Sequence, residues 1–348
     1  MRAIVVDGFG PPDRLRVGEV AEPVPAPDEV LVMVHAAPVN YVDLLVVGGT
    51  YQFLPPLPFI PGKGPAGVVT ALGRQVMSLR VGDRVLAMAE QGGYGEAVTV
   101  RADQCYRLPP SMSFSEAASL SLVYDTAWFA LRERARLEID ETVLVLGASG
   151  GVGQAATQLA HAMGARVLAG ILRPERAAAV RAAGADAVID LSAADLRDSL
   201  RAQVNAVTEG RGADIILDPL GGTMFEAAVR ALAWRGRLVV IGFAAGAIPT
   251  IRTNYLLLKN IEIGGLQISD YRKRRPAQVA ACFAEIFSLY EQGKVSPAQA
   301  TVFPLARAGE ALAALRDRRI AGRAVLRPRN RETDRSVTMR HPASVTQV

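Results

Sequence analysis

The chain has 348 residues, half of them hydrophobic, a net charge of +5 and two cysteines. That length suits two domains better than one small core; two cysteines exclude a disulfide framework and a four-cysteine zinc site, and no apolar run approaches the roughly 20 residues of a membrane span. The cations are almost all arginines spread along the chain, with lysine only at Lys63, Lys259, Lys273 and Lys294, so the excess charge reads as solvated surface and not as a nucleic-acid footprint.

The N-terminal residues Met1-Arg2-Ala3-Ile4 lead directly into an expected strand with no signal-peptide pattern, which makes a reducing cytoplasm the expected compartment. Residues 1–123 are rich in short strands, prolines and glycines. Strands are expected at Ile4–Val6, Glu29–Ala36, Gly67–Leu72, Arg84–Met88 and Glu96–Val100, a pattern that predicts a small, mostly β, barrel-like domain. From Tyr124 to Gly265 strands alternate with helices, as in a parallel sheet covered on both faces.

The most informative stretch lies at the start of that region. Val143–Leu146 is a short apolar run that reads as a buried strand, followed by a tight turn with Gly150, Gly151 and Gly153 and then a helix with Val152, Ala156, Leu159 and Met163 on one face and Gly164 past its end. The usual G-x-G-x-x-G is here Ala148-Ser149-Gly150-Gly151-Val152-Gly153. Gly150 lets the backbone approach a pyrophosphate, Gly153 lets helix and strand pack closely, and the helix N-terminus faces the anion. The next strand, Arg166–Ile171, ends in Ile171-Leu172 where an NAD-binding unit places an acidic residue for the ribose 2′-hydroxyl. Arg173 and Arg176 follow, and two guanidiniums can hold a 2′-phosphate, so NADPH is the expected cofactor. Ala187–Asp190 is the third strand. Ser192 is expected to cap the helix after it, with Asp195 completing a capping box. Ala213–Leu217, Arg237–Ile241 and Ile261–Gly265 complete six strands. A helix at Ala277–Gln292 and strands near Thr301–Phe303 and Ala324–Leu326 close the chain, and the polar segment from Asn330 to Val348 is expected to be disordered. The basic run Tyr271–Pro276 reads as a solvated helix entry or loop, or else as a site for the phosphates of an acyl-CoA.

Several motifs occur in a fixed order: Asn40-Tyr41-Val42-Asp43, Gly48-Gly49-Thr50-Tyr51, Pro61-Gly62, Gly67-Val68-Val69, Gly82-Asp83-Arg84-Val85, Gly92-Gly93-Tyr94-Gly95-Glu96, Asp125-Thr126-Ala127, the Ala148–Gly153 loop and Asp218-Pro219-Leu220-Gly221-Gly222. On these the chain resembles, over residues 1–328, the medium-chain dehydrogenases/reductases, and within them the zinc-independent quinone oxidoreductases similar to zeta-crystallin. The resemblance implies an α/β fold: a GroES-like, mostly-β catalytic domain at 1–123, a six-stranded parallel Rossmann domain at 124–265, a segment 266–329 returning to the catalytic domain, and the tail 330–348. It also implies an interdomain cleft in which nicotinamide meets substrate.

Zinc enzymes of that superfamily use a cysteine and a Gly-His-Glu as metal ligands. Here Asn40 takes the approximate cysteine position and Gly62-Lys63-Gly64 replaces Gly-His-Glu, while His35, His161 and His341 show no ligand spacing. A lysine ammonium cannot coordinate zinc, so no metal site is expected. Without one, hydride donation from NADPH to an electron-poor acceptor, a quinone or an α,β-unsaturated carbonyl, is the easier chemistry. The resemblance implies Asn40 and Thr126 beside the nicotinamide and its ribose, and Tyr51 facing the acceptor as proton donor, orienting group or aromatic lid. Asp43 reads as structural, bonded to the backbone of its own turn. The expected cofactor contacts are Asn40, Thr126, Ser149, Gly150, Gly151, Val152, Gly153, Arg173, Arg176, Gly242, Phe243, Ala244, Leu266, Gln267 and Arg318, with Arg323 competing for the role of late arginine. Asp190 stands where relatives often have a tyrosine for the 2′-phosphate, and its carboxylate does not help there. NADPH-dependent quinone reduction is thus the expected function. A 2-enoyl (enone or enoyl-CoA) reductase is the alternative, and a non-catalytic NADPH-binding regulatory or structural protein the alternative of another class. The resemblance implies a homodimer paired through the edge strand of the Rossmann sheet, here Ile261–Gly265, with a tetramer as the alternative.

Overall fold

A computed structural model describes residues 1–329; the expected disorder of 330–348 lies outside the described residues. The described residues divide into two units, one made of Met1–Ser121 together with 298–329, the other of Leu122–Pro297.

In the first unit β1 (Arg2–Val5) and β2 (Arg16–Glu19) form an antiparallel pair. The long strand β3 (Glu29–Pro38) pairs antiparallel with both β4 (Ala66–Leu72) and β6 (Ala97–Arg101), and β5 (Arg84–Ala87) runs between β4 and β7 (Cys105–Arg107). Alternate residues of β3, Val30, Val32 and Val34, are fully buried together with Val69, Val85, Tyr94 and Val98. Each such side chain contributes about 1.5–3 kcal/mol of apolar burial. The helix α1 (Tyr41–Val47) lies between β3 and β4, and α2 (Phe114–Leu120) follows β7. Between β3 and β4, Gly62 takes φ +96°, and a side chain there would lie 2.2 Å from the Tyr94 ring, so only glycine lets that ring reach its buried place.

The second unit begins with α3 (Val123–Trp128) and then alternates: β8 (Thr142–Leu146), α4 (Gly151–Ala162), β9 (Arg166–Ile171), α5 (Ala177–Ala182), β10 (Ala187–Asp190), α6 (Leu196–Val207), β11 (Ala213–Asp218), α7 (Gly222–Ala231), β12 (Leu232–Val240), α8 (Asn254–Lys259) and β13 (Glu262–Gly265). The six strands are all parallel, in the order β10-β9-β8-β11-β12-β13. Numbered from β8, that order is 3-2-1-4-5-6, the doubly wound dinucleotide-binding arrangement whose order reverses between β8 and β11. β8 is buried along its whole length, as its unbroken apolar run predicts for a central strand covered on both faces. Two helices, α9 (Ile268–Arg274) and α10 (Pro276–Glu291), end the unit.

The final strands β14 (Ala300–Pro304) and β15 (Arg323–Arg327), separated by α11 (Ala308–Arg316), join the first unit: β15 pairs antiparallel with β3 and parallel with β14. The return therefore starts at Ala298 and not at 266, because α9 and α10 pack within the second unit.

Two local expectations are corrected. Ser192 does not cap α6: its backbone N–H and hydroxyl both donate to Asp190 Oδ1, at 2.8 and 2.6 Å, and Asp195 is the N-cap. The short turn after β10 offers Ser192 a nearer acceptor than the helix does. Nor is the basic run Tyr271–Pro276 all solvated. Arg272 is buried and its guanidinium donates through Nε and a terminal nitrogen to Asp125 Oδ2, at 3.0 and 2.6 Å, with both side chains out of water. Arg274 and Arg275 are exposed.

Candidate functional site

In the second unit the expected cofactor residues gather at one edge of the sheet, because successive parallel strands all end there. β8 leads through Gly147 into the turn Ala148-Ser149-Gly150 and α4; β9 into Arg173 and Arg176; β11 into Asp218–Gly222; β12 into Gly242-Phe243-Ala244; and β13 into Leu266-Gln267. The turn is held by Gly150 N–H donating to Gly147 O at 2.9 Å and Ala148 N–H to Gly170 O at 2.9 Å. The N–H groups of Gly151, Val152 and Gly153 in the first turn of α4 have no intrahelical acceptor and are available to an anion.

The two glycines differ in the space around them. A side chain at Gly153 would sit 2.2 Å from Gly147 O and 2.6 Å from the Ala148 Cα, inside the strand–helix contact. One at Gly150 would meet only Gly147 O, at 3.3 Å, and otherwise open space. Arg173 is exposed and Arg176 half-buried, and neither forms an ion pair among the described residues. Asp190 is exposed and its carboxylate is occupied by Ser192, which holds its pKa below the usual carboxylate value. The loops after β11 and β12 are tied together by Ala244 N–H donating to Pro219 O at 3.1 Å. Leu266 N–H donates to Val240 O, and the Gln267 side-chain oxygen accepts from Ser269 N–H at 3.1 Å, capping α9. Thr126 is buried, and its hydroxyl donates to Leu122 O within the start of α3, which leaves the oxygen as an acceptor only.

Sequence reasoning passed over Asp218 as a chemical group. Its Oδ1 accepts from Leu220 and Gly221 N–H, at 2.8 and 2.9 Å, while Oδ2 is buried with no partner among the described residues. Burial raises its pKa against those two bonds. An unmet carboxylate oxygen at the carboxyl end of β11, next to the glycine turn of β8, suits a ligand hydroxyl. Asp218-Pro219 was visible as a motif; the orphaned oxygen was not.

In the first unit Asn40, Asp43, Lys63, Tyr94 and Arg323 form a buried polar cluster. Asn40 is the N-cap of α1, and its backbone N–H donates to Asp43 Oδ2 at 2.9 Å. Tyr94 donates its hydroxyl to the same oxygen at 3.0 Å. Asp43 is thus the turn-bonded residue the sequence suggests. Burial raises its carboxyl to about 6, against the lowering by the Asn40 N–H, Lys63, Tyr94 and Arg323. Arg323 donates to Asn40 Oδ1 at 2.7 Å and to Ser119 O at 3.1 Å. Lys63 is buried, donates to Glu90 Oε2 at 2.5 Å and Glu90 O at 3.0 Å, and stands 5.8 Å from the centre of the half-buried Tyr51 ring, within cation–π range. Arg318, by contrast, is exposed in a left-handed turn and forms no ion pair among the described residues. Of the two late arginines, the one brought to Asn40 is Arg323. The sequence marked Lys63 only as a residue unable to bind zinc; its contact with Tyr51 had no signal there. No group of three or more His, Cys, Asp and Glu side chains suited to a metal occurs among the described residues, and no helix among them is long and apolar enough to cross a membrane.

Comparison with known proteins places these units. Residues 26–110 match the alcohol dehydrogenase GroES-like domain and residues 151–285 the domain described as zinc-binding dehydrogenase. The chain is 35% identical over 301 residues to quinone oxidoreductase-like protein 2 homolog of Nematostella vectensis, covering 86% of this chain and 81% of that one. It is 34% identical over 313 residues to mouse quinone oxidoreductase, covering 89% and 92%. The crystal structure of Escherichia coli quinone oxidoreductase complexed with NADPH superposes with a TM-score of 0.86 at 28% identity, over 94% of this chain and all of that one. With its GroES-like and Rossmann units and relatives matched along most of its length, the chain is an oxidoreductase of the medium-chain dehydrogenase/reductase superfamily and belongs to its quinone oxidoreductase family.

Proposed function

We propose that the chain binds NADPH and reduces a quinone by direct, metal-free hydride transfer. The observation that carries this reading is the edge of the parallel sheet, where an open glycine turn at a helix N-terminus lies one strand away from two guanidiniums with no ion pair among the described residues. The turn and the free N–H groups of α4 suit a pyrophosphate. Arg173 and Arg176, with no acid at Ile171, suit a 2′-phosphate. Asp218 Oδ2 and Asn40 Nδ2, each buried and unmet among the described residues, suit a donor and an acceptor on bound molecules. Ser149, Gly242, Phe243, Ala244, Leu266, Gln267 and Thr126 supply backbone, cover and an acceptor oxygen around the same cofactor; Arg318 stays an open assignment of the resemblance.

Bound NADPH supplies a hydride to an electron-poor acceptor. The protein's own part is to orient the two reactants, keep water away and balance charge on the acceptor oxygen. The Lys63 ammonium, held by Glu90, is a fixed positive charge beside Tyr51. The Tyr51 hydroxyl is the proposed proton donor to the reduced acceptor. Asp43, Tyr94 and Arg323 hold Asn40 in place. The β13 edge, unpaired among the described residues, is the proposed homodimer contact, and the two unpaired cysteines fit a reducing cytoplasm. For the acyl-CoA alternative, Arg272 of the basic run is committed to Asp125, while Lys273, Arg274 and Arg275 stand at the surface.

The test is NADPH oxidation by the purified protein against ortho- and para-quinones, free enones and an enoyl-CoA, with NADH as control. Turnover fastest with quinones supports the proposal. Preference for enoyl-CoA overturns the substrate class, and tight NADPH binding without turnover overturns catalysis. Y51F separates the roles of Tyr51: loss of a proton donor lowers kcat by about 10²-fold or more, whereas loss of an orienting contact raises KM.

A further inference from the structure

An asparagine amide has two ends of nearly the same shape, one accepting and one donating hydrogen bonds, and what faces it decides which end a ligand meets. At Asn40 that decision is made by Arg323. A guanidinium has five donors and no acceptor, so only Oδ1 can face it, and it does so at 2.7 Å. Nδ2 is then turned the other way. It is buried in a residue only 4% exposed and finds no partner among the described residues. Buried donors without partners are rare and cluster where a ligand completes them.

Arg323 is itself over-determined. Its Nε donates to Ser119 O at 3.1 Å, it is 8% exposed, and it opens β15. Next to it, Val39 N–H donates to Ala324 O at 2.9 Å, so β15 is locked beside the residue before Asn40. From the other side, the Asn40 backbone is held by Asp43, which is held by Tyr94. The hydroxyl of Ser119, the residue that receives Nε, is also buried without a partner among the described residues.

We propose that Arg323 is a positioning residue: it fixes the Asn40 amide with its oxygen turned inward, so that Nδ2 is offered, already oriented and polarised by the adjacent charge, to an acceptor oxygen of the bound reactants. That oxygen belongs either to the cofactor (a ribose hydroxyl or carboxamide oxygen) or to the carbonyl of the electron acceptor. The inference rests on the NADPH-dependent reduction proposed above.

The experiment uses the full chain with N40A, N40D, R323Q, R323K and the N40A/R323Q pair, each checked for its melting temperature. Affinity for NADPH is read by quenching of tryptophan fluorescence with no acceptor present; kcat and KM for a quinone are read separately. N40D keeps the shape and pairs with the guanidinium but has no N–H to give. It and N40A are expected to lose about tenfold or more in the same quantity. R323Q loses a similar amount, R323K recovers part of it, and R323Q adds less than about twofold in the N40A background, because Arg323 acts through Asn40. A loss in NADPH affinity assigns the oxygen to the cofactor; unchanged affinity with lowered kcat/KM for the quinone assigns it to the acceptor. Wild-type values in N40D, or multiplying effects of N40A and R323Q at unchanged melting temperature, overturn the proposal. If R323Q does not fold, N40D and R323K decide alone. Should the wild type bind NADPH without turning over any acceptor, the reductase reading fails by itself, and unchanged NADPH affinity in N40D then overturns this one as well.

Discussion

Two alanine substitutions three residues apart at the same turn should do opposite things. Replacing Gly153 puts a methyl group 2.2 Å from Gly147 O and 2.6 Å from the Ala148 Cα, where ordinary contact begins at 3.4 Å. Both obstacles are backbone, so α4 must move from β8 by about 1 Å rather than a side chain turning aside. Overpacking of this kind costs about 1–3 kcal/mol, and about 2 kcal/mol in a unit of this size lowers the melting temperature by about 4–8 °C. Replacing Gly150 meets only Gly147 O at 3.3 Å, and its φ of −83° and ψ of 173° suit any residue. G150A should therefore melt within about 2 °C of wild type, while its methyl group occupies the approach of a phosphate and weakens NADPH binding by about tenfold or more. Differential scanning calorimetry of the ligand-free proteins and fluorescence titration with NADPH measure the two effects separately. G153A melting like the wild type, or G150A binding NADPH as tightly as the wild type, would show that the division of labour between these glycines is wrong.

Three further outcomes follow from the same geometry. Burial raises Asp43 from 3.8 to about 6, so the folded state binds the proton more tightly than the unfolded one; the contribution is full below about pH 4 and is lost as pH rises through about 6. Denaturant titrations should show the wild type gaining about 2 kcal/mol over D43N between pH 7 and pH 4, and a pH-independent difference refutes it. R272M strands the buried Asp125 carboxylate and should cost about 3–5 kcal/mol in the same titration, against less than about 0.5 kcal/mol for R274A/R275A; equal effects would deny the buried pair. R173A/R176A should weaken NADPH by about tenfold or more and leave NADH binding unchanged, and equal loss for both cofactors would assign the arginines no role at the 2′-phosphate.

What could be read from the sequence was local. Val143–Leu146 announces a central strand because both faces of a parallel sheet are covered, and Arg166–Ile171 and Ala187–Asp190 have the bounds their apolar pattern suggests. β2 and β7 escaped notice because Arg16–Glu19 and Cys105–Arg107 are too short and polar to show a period. β12 begins at Leu232, earlier than Arg237, because Arg235 adopts φ +63° and the pairing with β11 shifts register there. The glycine turn was legible because its chemistry lies within six residues of chain. The ion pair of Arg272 with Asp125 joins residues 147 apart, and the hydrogen bond from Arg323 to Asn40 joins residues 283 apart. No periodicity links such positions; only the topology brings them together.

The late arrival of β15 also orders events during synthesis. The strands of the second unit pair only among themselves and occupy one continuous stretch, so a growing chain completes them while the first unit is still open. Until residues 323–327 leave the ribosome, β3 lacks its neighbour at Ala37 and Pro38, and Asn40 has no cation against its amide. A chain stopped short of β15 thus carries the glycine turn and every residue of the Rossmann sheet, yet lacks the contact that orients its unmet amide. In chain order, the contact of Arg323 with Asn40 is the last of these to become possible.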